Sequence, residues 1–115
     1  MTVQIVFSKA DRIIAARHFD RLQNAEMLRQ AAVSVATAAY DGTPDAYPAF
    51  AAATAAADAA KKAAVQESVR LREQDVAAVR SAVAAFGPGN LDDADGANTL
   101  IAALGVAAFA DVVTV

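Results

Sequence analysis

The stretch Ala49–Phe86, AFAAATAAADAAKKAAVQESVRLREQDVAAVRSAVAAF, decides the fold. It contains neither glycine nor proline, and alanine, its commonest residue, has the highest helix propensity. Its second half repeats apolar residues at heptad spacing. We therefore predict a long helix two over residues 44–86, with an alanine-rich half that buries little apolar area and a second half with more adhesive surface. The heptad row is Val65, Val69, Arg72, Val76, Val79, Val83 and Phe86.

A first helix is predicted over residues 9–41. Its apolar residues recur at spacings of three and four, which is typical of a helix with one buried face. Asp41-Gly42 ends this helix, and Thr43-Pro44 or Pro48 begins the next one. Because the connection is short, the two helices should pack as an antiparallel hairpin. The predicted buried stripe is Ala15, Phe19, Leu22, Ala25, Leu28, Ala32, Val35 and Ala39.

The two ends of the chain have a different pattern. Residues 1–8 alternate apolar and polar side chains, which predicts an N-terminal strand arm. Gly87-Pro88-Gly89 ends helix two, residues 87–98 read as an acidic loop, and residues 99–115 as a short helix capped by Asn98 with a terminal strand. The predicted fold is one mainly α domain, 1–115: an antiparallel helical hairpin, a short C-terminal helix and short terminal β-strands. The strands pair either with each other or with neighbouring subunits.

Composition excludes several classes of function. The net charge is −3 and the isoelectric point is about 4.9, whereas nucleic-acid-binding proteins usually present a basic face. The absence of cysteine removes disulfides and zinc-thiolate sites. Residues 100–110 form an apolar run that is too short to span a bilayer. We expect no nucleic-acid or membrane partner, no signal peptide or transmembrane segment, and a cytoplasmic or virion location.

Few residues suggest chemistry. His18, the only histidine, has no second ligand nearby in sequence, which favours a structural role. Asp92, Asp93 and Asp95 fail the calcium-loop pattern at its strongest positions and read as helix-capping acids, with a weak cation site left open. The charged residues over 67–75 have the spacing of a solvated helix face. We therefore expect no catalytic residue, no metal and no cofactor, and predict a protein that is not an enzyme.

Shape is the remaining guide to function. A helix over 49–86 is about 57 Å long at 1.5 Å per residue, so its last turns should extend beyond helix one. We predict a non-enzymatic structural subunit that self-associates, with a phage virion component as one concrete form. The alternative is a helical binding module that recognises a partner helix over Val76, Val79 and Val83. The predicted self-association residues are Val3, Ile5, Phe7, Val76, Val79, Val83 and Phe86.

Overall fold

The structure, a computed structural model, describes residues 2–86 and 89–115. The predicted fold class is confirmed, with two long helices, a short C-terminal helix and two terminal strands. The elements in chain order are β1 (Val3–Val6), α1 (Ala10–Ala39), α2 (Tyr47–Phe86), α3 (Ala94–Ala103) and β2 (Asp111–Thr114).

The chain forms two compact units. The first, called the sheet unit below, contains Met1–Arg17 and Leu71–Val115. The second, called the hairpin unit, contains His18–Arg70. Each unit holds part of both long helices, since α1 begins in the sheet unit and α2 ends there.

The sheet unit contains the strands. β1 and β2 pair antiparallel within the same chain, with Val3 opposite Thr114 and Ile5 opposite Val112. Val3 of β1 also forms a pair of backbone hydrogen bonds with Leu91. The Val3 amide donates to the Leu91 carbonyl at 2.9 Å, and the Leu91 amide donates to the Val3 carbonyl at 2.8 Å. Of the two pairings left open by the sequence, the structure contains the one within the chain. The strands cover a core of large apolar residues, built from Ile14, Ala82, Ile101, Val106 and Phe109.

Helix α3 begins at Ala94, earlier than the predicted start at residue 99. Asp93 has extended backbone angles, and its carboxylate accepts a hydrogen bond from the Gly96 amide at 2.6 Å. Asp93 is therefore the N-cap in place of Asn98, and the acidic loop is shorter than the predicted 87–98. The helix ends at Ala103, and the φ of +70° at Gly105, two residues later, lets the chain turn so that Val106 enters the core.

The hairpin unit is formed by α1 and α2 and the turn between them. Gly42 has a φ of +81°, a conformation that suits glycine. The Asp41 carboxylate accepts hydrogen bonds from the Thr43 amide and hydroxyl, at 2.9 and 2.7 Å, which lower the pKa of Asp41. A turn over 44–46 precedes α2, so Pro48 falls in its first helical turn. Gly87 and Pro88, predicted to end α2, lie outside the described residues.

The side of α1 that faces α2 differs from the predicted stripe. Ala25 and Ala36 are buried there, together with half-buried His18 and Arg21. Within the predicted stripe Ala25 is buried and Leu22 is half-buried, whereas three large side chains are exposed: 57% for Phe19, 62% for Leu28 and 71% for Val35. The buried residues of this unit are therefore small or polar.

Candidate protein-interaction surface

Most of the predicted self-association residues contact their own chain. Val3 is buried, and the other members that pack on the sheet-unit core are half-buried. Phe7 stacks on Phe86 with 6.3 Å between ring centroids. Val76 and Val83 are exposed, two helical turns apart on α2. The members packed within the sheet unit are Val3, Ile5, Phe7, Val79 and Phe86. Of the predicted set, Val76 and Val83 are the two members that are exposed.

The hairpin unit carries an apolar groove that sequence reasoning missed. It lies between α1 and α2 near the turn and has a volume of about 740 Å³. No charged side chain lines it, and alanine supplies most of its wall. A signal was present in the sequence, since Ala49, Ala53, Ala56 and Ala60 repeat on one side of α2. The groove, which we call the hairpin groove, is lined by Ala32, Val35, Ala36, Ala39, Tyr40, Ala46, Ala49, Phe50, Ala53, Ala56, Ala57 and Ala60.

The sheet unit has a smaller apolar depression of about 430 Å³ between α2, α3 and β1. Leu100 and Leu104 of α3 are partly exposed at its wall, and Ile5 and Phe86 form part of its base. The core beneath it is complete, because Ile101, Val106 and Phe109 are already buried. This depression is therefore a surface feature of a unit with its own core, whereas the hairpin groove lies on a unit without one.

A polar cluster joins the helices of the hairpin unit. The Ser68 side chain is 1% exposed, and its hydroxyl lies 2.7 Å from His18 Nδ1. Arg21 donates from Nε to the same hydroxyl at 2.9 Å and from Nη2 to the Ser68 carbonyl at 3.3 Å. Because the hydroxyl accepts from Arg21, it donates to His18 when the imidazole is neutral and carries its proton on Nε2. All three groups are thereby satisfied.

A serine hydroxyl bonded to an imidazole is also the first half of a nucleophilic dyad. Here the Ser68 hydroxyl oxygen already accepts a hydrogen bond from Arg21 Nε. The side chain is also buried, so a substrate carbonyl could not reach it. The arrangement is instead a polar link between α1 and α2, in which the buried hydroxyl is bonded to two side chains of α1. The role of His18 therefore depends on a contact with a residue fifty positions away.

Ion pairs flank the helix contact farther along the hairpin unit. Glu26 accepts hydrogen bonds from Arg29, Lys61 and Gln30, in a cluster that also brings Arg29 within 3.6 Å of Asp58. The Arg29 bonds, and after them the Lys61 bond, hold the pKa of Glu26 well below its ordinary value. These groups are partly exposed, so they orient the helices more than they stabilise them.

The remaining charged candidates have local partners. In the hairpin unit Arg70 pairs with Glu67 one turn away, which lowers the pKa of Glu67. In the sheet unit the Arg17 guanidinium lies 4.7 Å from the Phe109 ring centroid and 3.8 Å from the Asp75 carboxylate. Among residues 2–86 and 89–115, no three histidine or acidic side chains are grouped so that they could hold a metal ion. The carboxylate of Asp93 is engaged as a helix cap.

The sequence matches no known protein family, no characterised protein and no solved structure. Of the helices in the described part of the chain, none has the length and hydropathy that crossing a membrane requires. The hairpin groove and the exposed apolar residues around it are thus the features from which a function can be argued.

Proposed function

We propose that this protein is a non-enzymatic structural subunit that self-associates, through apolar faces of its long helices, into a homo-oligomer or larger assembly. The observation that carries this proposal is the composition of the hairpin-unit interior. Within the described residues of that unit, the buried apolar side chains are Ala25, Ala36 and Ala57. Each of these removes far less apolar area from water than a leucine or phenylalanine would.

Several large apolar side chains of the same unit are exposed, namely Phe19, Met27, Leu28 and Val35, and others, such as Leu22, are only half-buried. A helix pair is normally stabilised when its apolar faces are covered by another layer of structure. The contacts between the helices of this unit are the buried alanines (the alanine seam), one buried polar cluster and partly exposed ion pairs. These contacts provide little of the stabilisation that covering a large apolar face would give. A second helical layer from another molecule would supply the missing burial.

The terminal strands, which pair within the chain, are not part of this proposal.

Small helical subunits of this kind suit shells and connectors, and a phage virion component is one such role, by analogy of architecture alone. Negative-stain microscopy of any species larger than a dimer would test that version. Rings, tubes or shells support it, and compact particles of two or a few copies contradict it.

The test of self-association itself is the native mass. Light scattering over a wide concentration range should give a multiple of 11.8 kDa, and the melting temperature should rise with protein concentration because association stabilises the folded state. A mass of one chain at every concentration, together with a melting temperature independent of concentration, would show that the protein does not self-associate.

A second candidate function is a helical module that binds the helix of a different protein. The elongated, uncharged hairpin groove favours it, because an amphipathic helix binds such grooves through apolar residues on one face. This candidate predicts a monomer in isolation, so the same mass measurement separates the two.

A further inference from the structure

We infer that the hairpin groove is the docking site for the hairpin unit of a second copy of this chain, the two copies being related by a two-fold axis parallel to the hairpin. This inference rests on the proposed function and specifies which surface associates and with which partner. Its basis is the shape, the charge and the register of the groove.

The two walls of the groove differ in side-chain size. On α1, Leu28 and Val35 are exposed, seven residues apart, and form a ridge on one face of the helix. On α2 the one large groove residue, Phe50, stacks on Tyr40 near the turn, and the rest of that wall is alanine, with four exposed members at spacings of four, three and four. These alanines form a shallow furrow that a neighbouring side chain can enter closely. The furrow consists of Ala49, Ala53, Ala56 and Ala60, all exposed.

A surface with a ridge on one helix and a furrow on the other can be complementary to itself. In a two-fold dimer, the contact made by the ridge of one copy in the furrow of the other is repeated in reverse. This requires α1 of each copy to lie on α2 of the other. A two-fold axis parallel to the hairpin produces that arrangement, whereas an axis perpendicular to the helices would place ridge on ridge.

The contacts within one hairpin also set the expected register. Glu26 lies beside Lys61 and Arg29 beside Asp58, so Val35 is level with Ala53. An axis parallel to the hairpin preserves these levels between copies. Val35 of one copy should therefore contact Ala53 of the second copy.

Charge favours a second copy over a charged partner. Each chain has a net charge of −3, so two copies repel weakly at long range. No charged side chain lines the hairpin groove, so like charges would not meet within this contact. The flanking ion pairs are satisfied within each copy and leave no charge that a different partner must neutralise.

The first experiment compares two exposed apolar residues of α1. Val35→Glu places a charge in the proposed contact, whereas Met27→Glu places the same charge on an equally exposed residue outside the groove. Burial of two unpaired carboxylates should raise the dissociation constant of the Val35→Glu dimer by about 100-fold or more. The Met27→Glu protein should associate like the wild type. Circular dichroism should show both variants folded, because both positions are exposed.

The second experiment tests the register, and is simple because the chain has no cysteine. Val35→Cys and Ala53→Cys proteins are prepared separately, mixed and oxidised under mild conditions. Disulfides require Cα atoms about 4.4–6.8 Å apart, so the mixed product should dominate over either symmetric product. A mixture of Met27→Cys with Ala53→Cys is the control and should cross-link poorly.

The outcomes separate this inference from the proposed function. A wild-type monomer at all concentrations overturns both, and binding of a helical peptide to that monomer would assign the groove to another protein. A wild-type oligomer that survives Val35→Glu, or is weakened equally by Met27→Glu, overturns this inference and leaves self-association standing. Preferred Val35–Val35 cross-links overturn the proposed axis. Selective dissociation by Val35→Glu with mixed cross-links supports the inference.

Discussion

The sheet unit and the hairpin unit hold the same two helices together by different means. In the sheet unit, Ile14, Ile101, Val106 and Phe109, together with three alanines, form a buried apolar core under a pair of strands. In the hairpin unit, the helices meet through alanines, one buried serine and ion pairs. A fully buried large apolar side chain contributes about 1.5–3 kcal/mol, so the first arrangement has much the larger stabilisation per residue.

The two units differ in how much of their apolar surface is covered within the chain. The sheet unit has a core of its own, although Leu100, Leu104 and Val83 are exposed at its surface. The hairpin unit buries only small apolar side chains between its helices, and several of its larger apolar residues are exposed and available to another layer. The proposed self-association therefore belongs to the unit with the weaker interior. Three pairs of substitutions, ordered by expected effect, test this difference.

The largest effect is expected from phenylalanines in the two units. Phe109 is 3% exposed in the sheet-unit core, beneath the guanidinium of Arg17. Phe109→Ala should lower the free energy of unfolding by about 3–5 kcal/mol, from lost burial and the cavity left behind. Phe19→Ala in the hairpin unit should change it by about 0.5 kcal/mol or less, because that ring is already mostly exposed. Urea unfolding of both variants at one protein concentration gives the comparison. Equal losses would show that the contrast between the interiors is wrong.

A moderate effect is expected at the polar link of the hairpin unit. Ser68→Ala removes the hydroxyl that accepts from Arg21 and bonds to His18. Losing these bonds, with His18 and Arg21 only half-buried, should cost about 1 kcal/mol of unfolding free energy. Ser34→Ala is the matched control, since Ser34 is exposed on α1 and the change in helix propensity is the same. If both variants unfold at the same urea concentration, the polar link does not stabilise the hairpin unit.

The elements themselves could be predicted because their signals are local. Gly42 and Pro44 divide the two long helices, and Val3 to Phe7 alternate as a strand should. The sequence predicts the start of α3 too late because several acidic residues precede the helix and each is a candidate cap. The backbone angles and the hydrogen bond of Asp93 identify it as the cap. Local signals do not report on depth of burial, so the packing of Phe7 on Phe86 could not be foreseen.

The packing face of α1 could not be predicted for a physical reason. A prediction from periodicity assigns the most hydrophobic side chains to the buried face. It therefore places Phe19, Leu28 and Val35 in the interior. In the structure alanines are buried between the helices instead, and His18 lies beside Ser68. That packing depends on pairing between residues fifty positions apart, and a single sequence does not encode such pairings visibly. The hairpin groove was missed for the same reason, since its large residues were assigned to the interior.

The smallest effect is expected from acid, acting on the ion pairs of the hairpin unit. Arg29 and Lys61 hold the pKa of Glu26 below its ordinary value of 4.5. A carboxylate whose pKa is lowered by folding contributes stability that is fully present above the unfolded-state pKa, and that is lost as the pH falls toward the folded-state pKa. The melting temperature of the wild type should therefore exceed that of Glu26→Gln at neutral pH, and the difference should shrink below about pH 4.5.

Glu73→Gln, at an exposed carboxylate of α2 in the sheet unit, is the control for the general effect of removing one negative charge. Thermal melts at several pH values and low ionic strength measure both differences, since salt screens exposed pairs. A Glu26→Gln difference that stays constant with pH would mean that the folded and unfolded states bind the proton at Glu26 equally. The ion pairs would then contribute nothing to the hairpin unit, and its stability would rest on the alanine seam, the Ser68 link and the proposed second copy.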